Sequence, residues 1–355
     1  MRRLLALVGA LAMVGGASLV RSAIDDGDNG GGDSRDGGTP VLLCATELAA
    51  ACDRLAREAD VEIFLEPAAQ TTSTLSTLPD AERADLEYDG WLTFERNAEI
   101  VVEARERTAL APALGAIEGL IARSPLVFAM WRDRERALAT SCGGEVTWRC
   151  LGDVAGTPWR AIGGEPAWGD VKPGHADPET TGEGLAVIGQ AAAQFFDRSD
   201  LSRDEYEDDA FLDWFARLER SVESTTRAIG DDPALARMLT AGPAAFDVVA
   251  TTEADAGPRL AAASRALRDR VRLLYPSPVA TVDLVFAPVV ERGIGLLDLL
   301  AGDEGRTAFA HAGFRVGGDP QVRGVPSTPA LPARENLPGA GALEALLQTW
   351  REVTG

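Results

Sequence analysis

From Pro40 to Leu65 the chain reads as an apolar run, a stretch of helical period and an alternating run, with no room for a long loop between them. Val41-Leu42-Leu43-Cys44 suits a buried strand. The next segment, about Glu47 to Ala59, places Leu48, Ala51, Cys52, Leu55 and Ala59 on one helical face, with Thr46 where a capping residue belongs. Val61 to Leu65 then alternates as a second strand. Strand, helix and strand at these lengths make a βαβ unit, which commits the chain to an α/β fold built on parallel pairing. The 355 residues leave length for two domains of about 150 residues each.

Residues 1–23 read as an export signal or membrane anchor. Met1-Arg2-Arg3 supplies a positive start, and Leu4 to Val20 runs 17 residues without a charge. As a helix these span about 25 Å, just short of the ~30 Å hydrocarbon core. A cleaved signal, cut after Ala17 or Ser22, and an uncleaved anchor both fit. The usual lipid anchor is excluded, because it needs a cysteine directly after the apolar stretch and the first is Cys44. Residues 24–39 form a flexible acidic linker, since Asp25 to Gly38 contains nothing apolar to bury. Its Asp-x-Asp spacing lacks the distal glutamate of a calcium loop. No further transmembrane segment follows.

The four cysteines fall as two equally spaced pairs, Cys44/Cys52 and Cys142/Cys150. Three connectivities are open to them, of which local pairing is the simplest. A zinc site wants closer cysteines or a nearby histidine, and His175 and His311 stand apart from both pairs. Two disulfides agree with export. The net charge is −21, of which residues 1–40, with four Arg and five Asp, contribute only −1. So acidic a surface repels phosphate backbones and anionic headgroups, which excludes nucleic acid and peripheral membrane binding. There is no G-x-S-x-G elbow and no metal-spaced cluster, so the chain reads as a non-enzyme without a cofactor.

Further along, Thr71 to Thr77 holds six hydroxyl residues in seven, unusual for a packed element. Asp89 to Thr93 resembles a strand end. Ile121 to Trp131 is a long apolar run broken by Ser124-Pro125, and Leu273 to Ala287 is a second, with its own Pro276 and Pro278. The loop from Lys172 to Gly184 launches an alanine-rich helix, and Phe246 to Ala250 is a buried strand running into Thr251-Thr252-Glu253. Closing helices are expected near Ile294 to Ala310 and Gly341 to Val353.

Four segments carry a resemblance: Leu43 to Leu48, Ala122 to Val127, Pro173 to Leu185, and Leu296 to Phe314 with its Gly313-Phe314 turn. The chain resembles the type 2 periplasmic solute-binding proteins of ABC importers, especially the branch of molybdate- and sulfate-type binders. The resemblance implies a two-lobed fold, each lobe a mostly parallel sheet flanked by helices, joined by two interlobe crossovers. Lobe 1 would comprise residues 40–124 plus 280–355, and lobe 2 residues 125–279. It further implies an exported monomer that binds a small molecule or ion in the cleft and partners an importer permease. The alternative is an anchored sensory or interaction module on the same scaffold.

Under that resemblance the ligand turns are Thr46 and Thr180-Thr181-Gly182, where helix N-termini offer free N–H groups to an oxyanion. Ser73, Thr74, Ser124, Thr251 and Thr252 are further ligand candidates, as are Asp89 and Trp91, the latter as a cleft floor. Each also reads as a cap, turn or core residue. Glu47, Glu179, Glu183 and Glu253 stand beside these turns. Facing the cleft, they would favour a cation, a polyol or a metal complex; at helix starts they also complement the dipole.

Overall fold

The computed structural model describes residues 38–229, 233–289, 293–317, 322–325, 329–333 and 335–355, so the export segment and nearly all of the linker lie outside the described residues. Strand β1 (Val41–Ala45) is largely buried, and through α1 (Ala49–Glu58) it connects to its parallel neighbour β2 (Glu62–Glu66). The helix starts later than its periodicity suggests. Thr46–Leu48 forms a 3₁₀ turn whose capping position is Ala45, and the Thr46 hydroxyl donates to Glu47 Oε2 at 3.1 Å instead of capping. The hydroxyl-rich run is a helix, α2 (Ala68–Thr77): Thr72 and Thr77 return their hydroxyls to the carbonyls of Ala68 and Ser73, at 2.7 and 3.0 Å. Then come β3 (Gly90–Phe94), parallel to β1, and α3 (Glu95–Arg107).

Strand β4 (Glu118–Trp131) runs unbroken through Ser124-Pro125. Beyond it lie α4 (Arg132–Ser141), α5 (Trp148–Val154), β5 (Pro173–Gly174), α6 (Gly182–Phe196), α7 (Asp209–Ile229), α8 (Ala234–Ala241) and β6 (Val248–Thr252). These are followed by α9 (Glu253–Ala262), α10 (Arg265–Arg268), β7 (Val271–Leu274) and β8 (Thr281–Pro288), then α11 (Ile294–Ala301), α12 (Asp303–His311) and α13 (Ala340–Thr354). The strand order is β2-β1-β3-β8-β4-β6-β5, with β7 also paired to β4. From Glu118 to Pro125, β4 pairs with β8; from Leu126 to Trp131 it pairs with β6 and β7. Pro125, which has no N–H to donate, sits where the partners change.

The ladder is mixed, parallel at β1–β2, β1–β3 and β5–β6 and antiparallel at β3–β8, β4–β8, β4–β6 and β4–β7. The cause is that β4 leaves the first half of the sheet and β8 returns beside it, so both crossing strands oppose their neighbours.

Around this crossing the side chains bolt the halves together. Ser124 Oγ accepts the N–H of Ala254 at 2.9 Å, at the start of α9. Arg123 reaches Asp283 (2.8 Å), the Thr281 hydroxyl (3.0 Å) and the Pro332 carbonyl (2.7 Å). Glu253, fully buried, receives the Arg315 guanidinium in a fork, Nε to Oε1 at 2.7 Å and Nη2 to Oε2 at 2.6 Å, and the Tyr275 hydroxyl donates to it as well.

The cysteines pair locally, Cys44 with Cys52 and Cys142 with Cys150, the first tying the end of β1 to α1 and the second α4 to α5. Closing so short a loop limits the unfolded chain by about 2–3 kcal/mol. The Cys142→Ser/Cys150→Ser variant should lose that much in a urea titration; an unchanged midpoint would show that the bridge is idle. Among the described residues no helix is long and apolar enough to cross a membrane.

Candidate functional site

The C-terminal ends of β1 and β3 and the N-terminal ends of α6 and α9 converge on a cleft of about 880 Å³. From the first half of the sheet come Thr46, Glu47 and Phe94; from the second come Thr180, Thr181, Glu183, Thr251, Thr252 and Asp255. The chain makes these walls because each strand stops where a helix begins, so its last side chains and the helix's first N–H groups face the same space. Thr181 and Thr252 cap their helices, accepting from Gly184 N (3.0 Å) and Asp255 N (3.1 Å).

Glu47 reaches across the cleft. Its Oε1 accepts the N–H of Gly182 at 2.7 Å, so the chain's own carboxylate occupies the helix N-terminus that the sequence offered to an oxyanion. Burial pushes its pKa up, against the stabilising bonds from Gly182, Thr46 and the backbone. Gly182 fits there only because it lacks a side chain: a Cβ would stand 2.3 Å from the Phe94 ring and 2.6 Å from Asn97 Oδ1. Glu183 accepts from the hydroxyls of Thr251 (2.8 Å) and Thr252 (3.3 Å). Burial, then Asp255 and Glu47, push its pKa up to about 8. The positive charges on the lining are Arg259, paired with Asp255 at 2.6 Å, and the histidines when protonated.

No family model matches the sequence, and no curated protein matches it. Solved structures do. Over 88% of this chain and 99% of its own, a ferric binding protein from Campylobacter jejuni superposes with a TM-score of 0.58 at 9% identity. A periplasmic binding protein from Actinobacillus pleuropneumoniae, bound to fructose-6-phosphate, gives 0.53 at 14% identity, covering 90% and 97%. An ABC transporter solute-binding protein from Agrobacterium radiobacter in complex with ribitol gives 0.52 at 15% identity, covering 90% and 88%.

The fold is that of the periplasmic solute-binding proteins. Iron, fructose-6-phosphate and ribitol are named for these structures, and none of them supports the narrower molybdate- and sulfate-type branch.

Within this solute-binding-protein fold the eleven candidate ligand residues separate. Thr46, Thr180, Thr181, Thr251 and Thr252 line the cleft, and Gly182 bonds across its rim. Ser124 lies at the crossing of the halves. The remaining four sit away from the lining. Ser73 and Thr74 are exposed on α2. Asp89 is buried, accepting Val41 N at 2.7 Å, at the far end of β3. Trp91 is wholly buried among Leu43, Leu75, Ala98 and Val101 rather than flooring the cleft. Phe94, Asp255 and Arg259 are cleft residues that the reading of hydroxyl turns passed over. The signal was available: Phe94 is the last residue before a helix, and Asp255 and Arg259 follow the Thr252 cap.

Proposed function

We propose that this chain is an exported solute-binding protein that captures a small organic cation in its cleft and presents it to an importer permease, with lobes of residues 40–124 plus 280–355 and 125–279. The observation that carries this reading is the bond from Gly182 N to Glu47. The anion seat at the N-terminus of α6 is taken by a carboxylate, and Glu183 and Asp255 line the same cleft. An amine or quaternary nitrogen supplies the charge these groups lack, and Phe94, Phe246 and Phe314 give it aromatic walls. A bare metal ion is the poorer match: among the described residues, the only three carboxylate, histidine or cysteine donors within 4.8 Å of one another are Glu95, Asp283 and Glu335, which do not line the cleft.

A thermal-shift panel of putrescine, choline, arginine, ribitol, sulfate and molybdate at pH 5.5 and pH 7.5 tests this. A ligand at 100 times its Kd adds about 2.7 kcal/mol, a shift of a few degrees. A bound cation favours ionised Glu183, whose pKa stands near 8, so cation affinity should rise with pH across this window by up to about tenfold per unit. Glu183→Gln should remove that rise. Stabilisation by sulfate or molybdate, strongest at the lower pH, would sink the cation reading.

A further inference from the structure

His175 follows β5 and lines the cleft, and each of its ring nitrogens meets an acceptor. Nδ1 lies 2.7 Å from the Ala176 carbonyl oxygen and Nε2 lies 3.0 Å from Glu219 Oε2. A neutral imidazole has one N–H and one lone pair, so it would satisfy one acceptor and oppose the other; only the imidazolium donates to both. Glu219, on α7, is 1% exposed. Its Oε2 also accepts the indole N–H of Trp350 on α13 at 2.8 Å, and its Oε1 has no hydrogen-bond partner. A carboxylate this deep needs a positive neighbour.

The contacts downstream of His175 lead into the ligand turn. The Asp177 carbonyl accepts the N–H groups of Thr180 (3.3 Å) and Thr181 (3.0 Å) and the Thr181 hydroxyl (2.8 Å). At Gly184 a Cβ would stand 2.4 Å from the Ala176 carbonyl oxygen, so the loop rests directly on the first turn of α6. Moving His175 therefore moves Thr180, Thr181 and Gly182, the last being the partner of Glu47.

We propose that His175, held as an imidazolium against Glu219, is the positioning residue of the Thr180-Thr181-Gly182 turn, and that the turn loosens when His175 loses its proton. Its effect on ligand capture rests on the solute-binding reading; the positioning itself does not. Other charged groups on the surrounding elements include Asp177 and Glu179 in the loop, Glu183 on α6, Arg220 and Glu223 on α7, and Arg351 and Glu352 on α13, Arg351 being paired with Glu179 at 2.6 Å; β6 brings none. Burial alone would lower the pKa of His175, but Glu219, the Ala176 carbonyl and Asp177 outweigh it and raise the pKa above the ordinary value. A raised pKa means the contribution is complete below about pH 6.5 and is lost as pH rises past the folded-state pKa.

The test needs no ligand, so it can fail while the solute-binding reading stands, and the converse also holds. The chain has two histidines, and His311→Ala assigns their imidazole ¹⁵N signals. Near pH 6.5 the fraction of His175 with protons on both nitrogens should exceed that of a free imidazole; a neutral tautomer there overturns the proposal. Amide exchange at Thr181 and Gly182, corrected for intrinsic rates, should accelerate at least tenfold as His175 titrates. In His175→Asn it should be fast and independent of pH. If that variant fails to fold, Glu219→Gln should move the onset of opening to lower pH. Exchange at these amides that stays slow throughout the His175 titration also overturns the proposal.

Discussion

Replacing Arg315 with alanine is expected to cost about 3–5 kcal/mol of folding stability, because it strands the Glu253 carboxylate in the interior. Both oxygens of that carboxylate take their charged donors from the one guanidinium, at 2.7 and 2.6 Å, leaving Tyr275 as the other side-chain donor. Glu253 opens α9, while Arg315 is bridged to Arg123 on β4, so the pair joins a helix of the second half to the strand that crosses between halves. Arg315→Lys keeps the charge but loses the fork, and should fall between wild type and alanine. Adding Glu253→Gln to Arg315→Ala should recover part of the loss, since no buried charge is then left unpaired. Urea denaturation measures all four proteins. A loss below about 1 kcal/mol for Arg315→Ala would mean that water reaches Glu253.

The second large effect is expected at Gly182. An alanine there would set its Cβ 2.3 Å from the Phe94 ring and 2.6 Å from Asn97 Oδ1, both on the opposite wall. Both side chains are buried, so the halves are expected to separate, and the bond from Gly182 N to Glu47 then lengthens or breaks. Alanine at a helix start otherwise costs nothing and restricts the unfolded chain, worth about 0.5–1 kcal/mol in the other direction. Small-angle scattering should therefore show a larger radius of gyration, and affinity for any cation that the thermal-shift panel finds should fall at least tenfold. An unchanged radius would show that Phe94 and Asn97 yield in place.

These two sites differ in how far they could be read from the chain. The sequence alone gives a break in an apolar run at Ser124-Pro125, and only the resemblance makes it a crossing; β4 runs through it and changes partner there. The parallel pairing of β1 and β2 followed from the spacing alone. Thr46 misled, because a hydroxyl before a helical pattern looks like a cap, whereas the 3₁₀ turn sends its hydroxyl to Glu47. The threonines of α2 misled in the opposite sense, since i−4 carbonyls absorb hydroxyls that resemble a loop's. At Trp91 the sequence shows the strand but not its burial; β3 is buried on both faces and has no cleft side at that residue. Glu47 stands out in the sequence as an obstacle to an anion, yet its partner 135 residues away depends on how the two halves close, which no local pattern contains.

The Cys44–Cys52 bridge encloses Thr46 and Glu47 within its loop. The residue that reaches across to Gly182 is thus held between two covalent fixed points, one on the strand before it and one on the helix after it. With the bridge reduced, the backbone on either side alone would carry that turn, so the carboxylate facing Gly182 would lose its covalent brace while keeping its place between strand and helix.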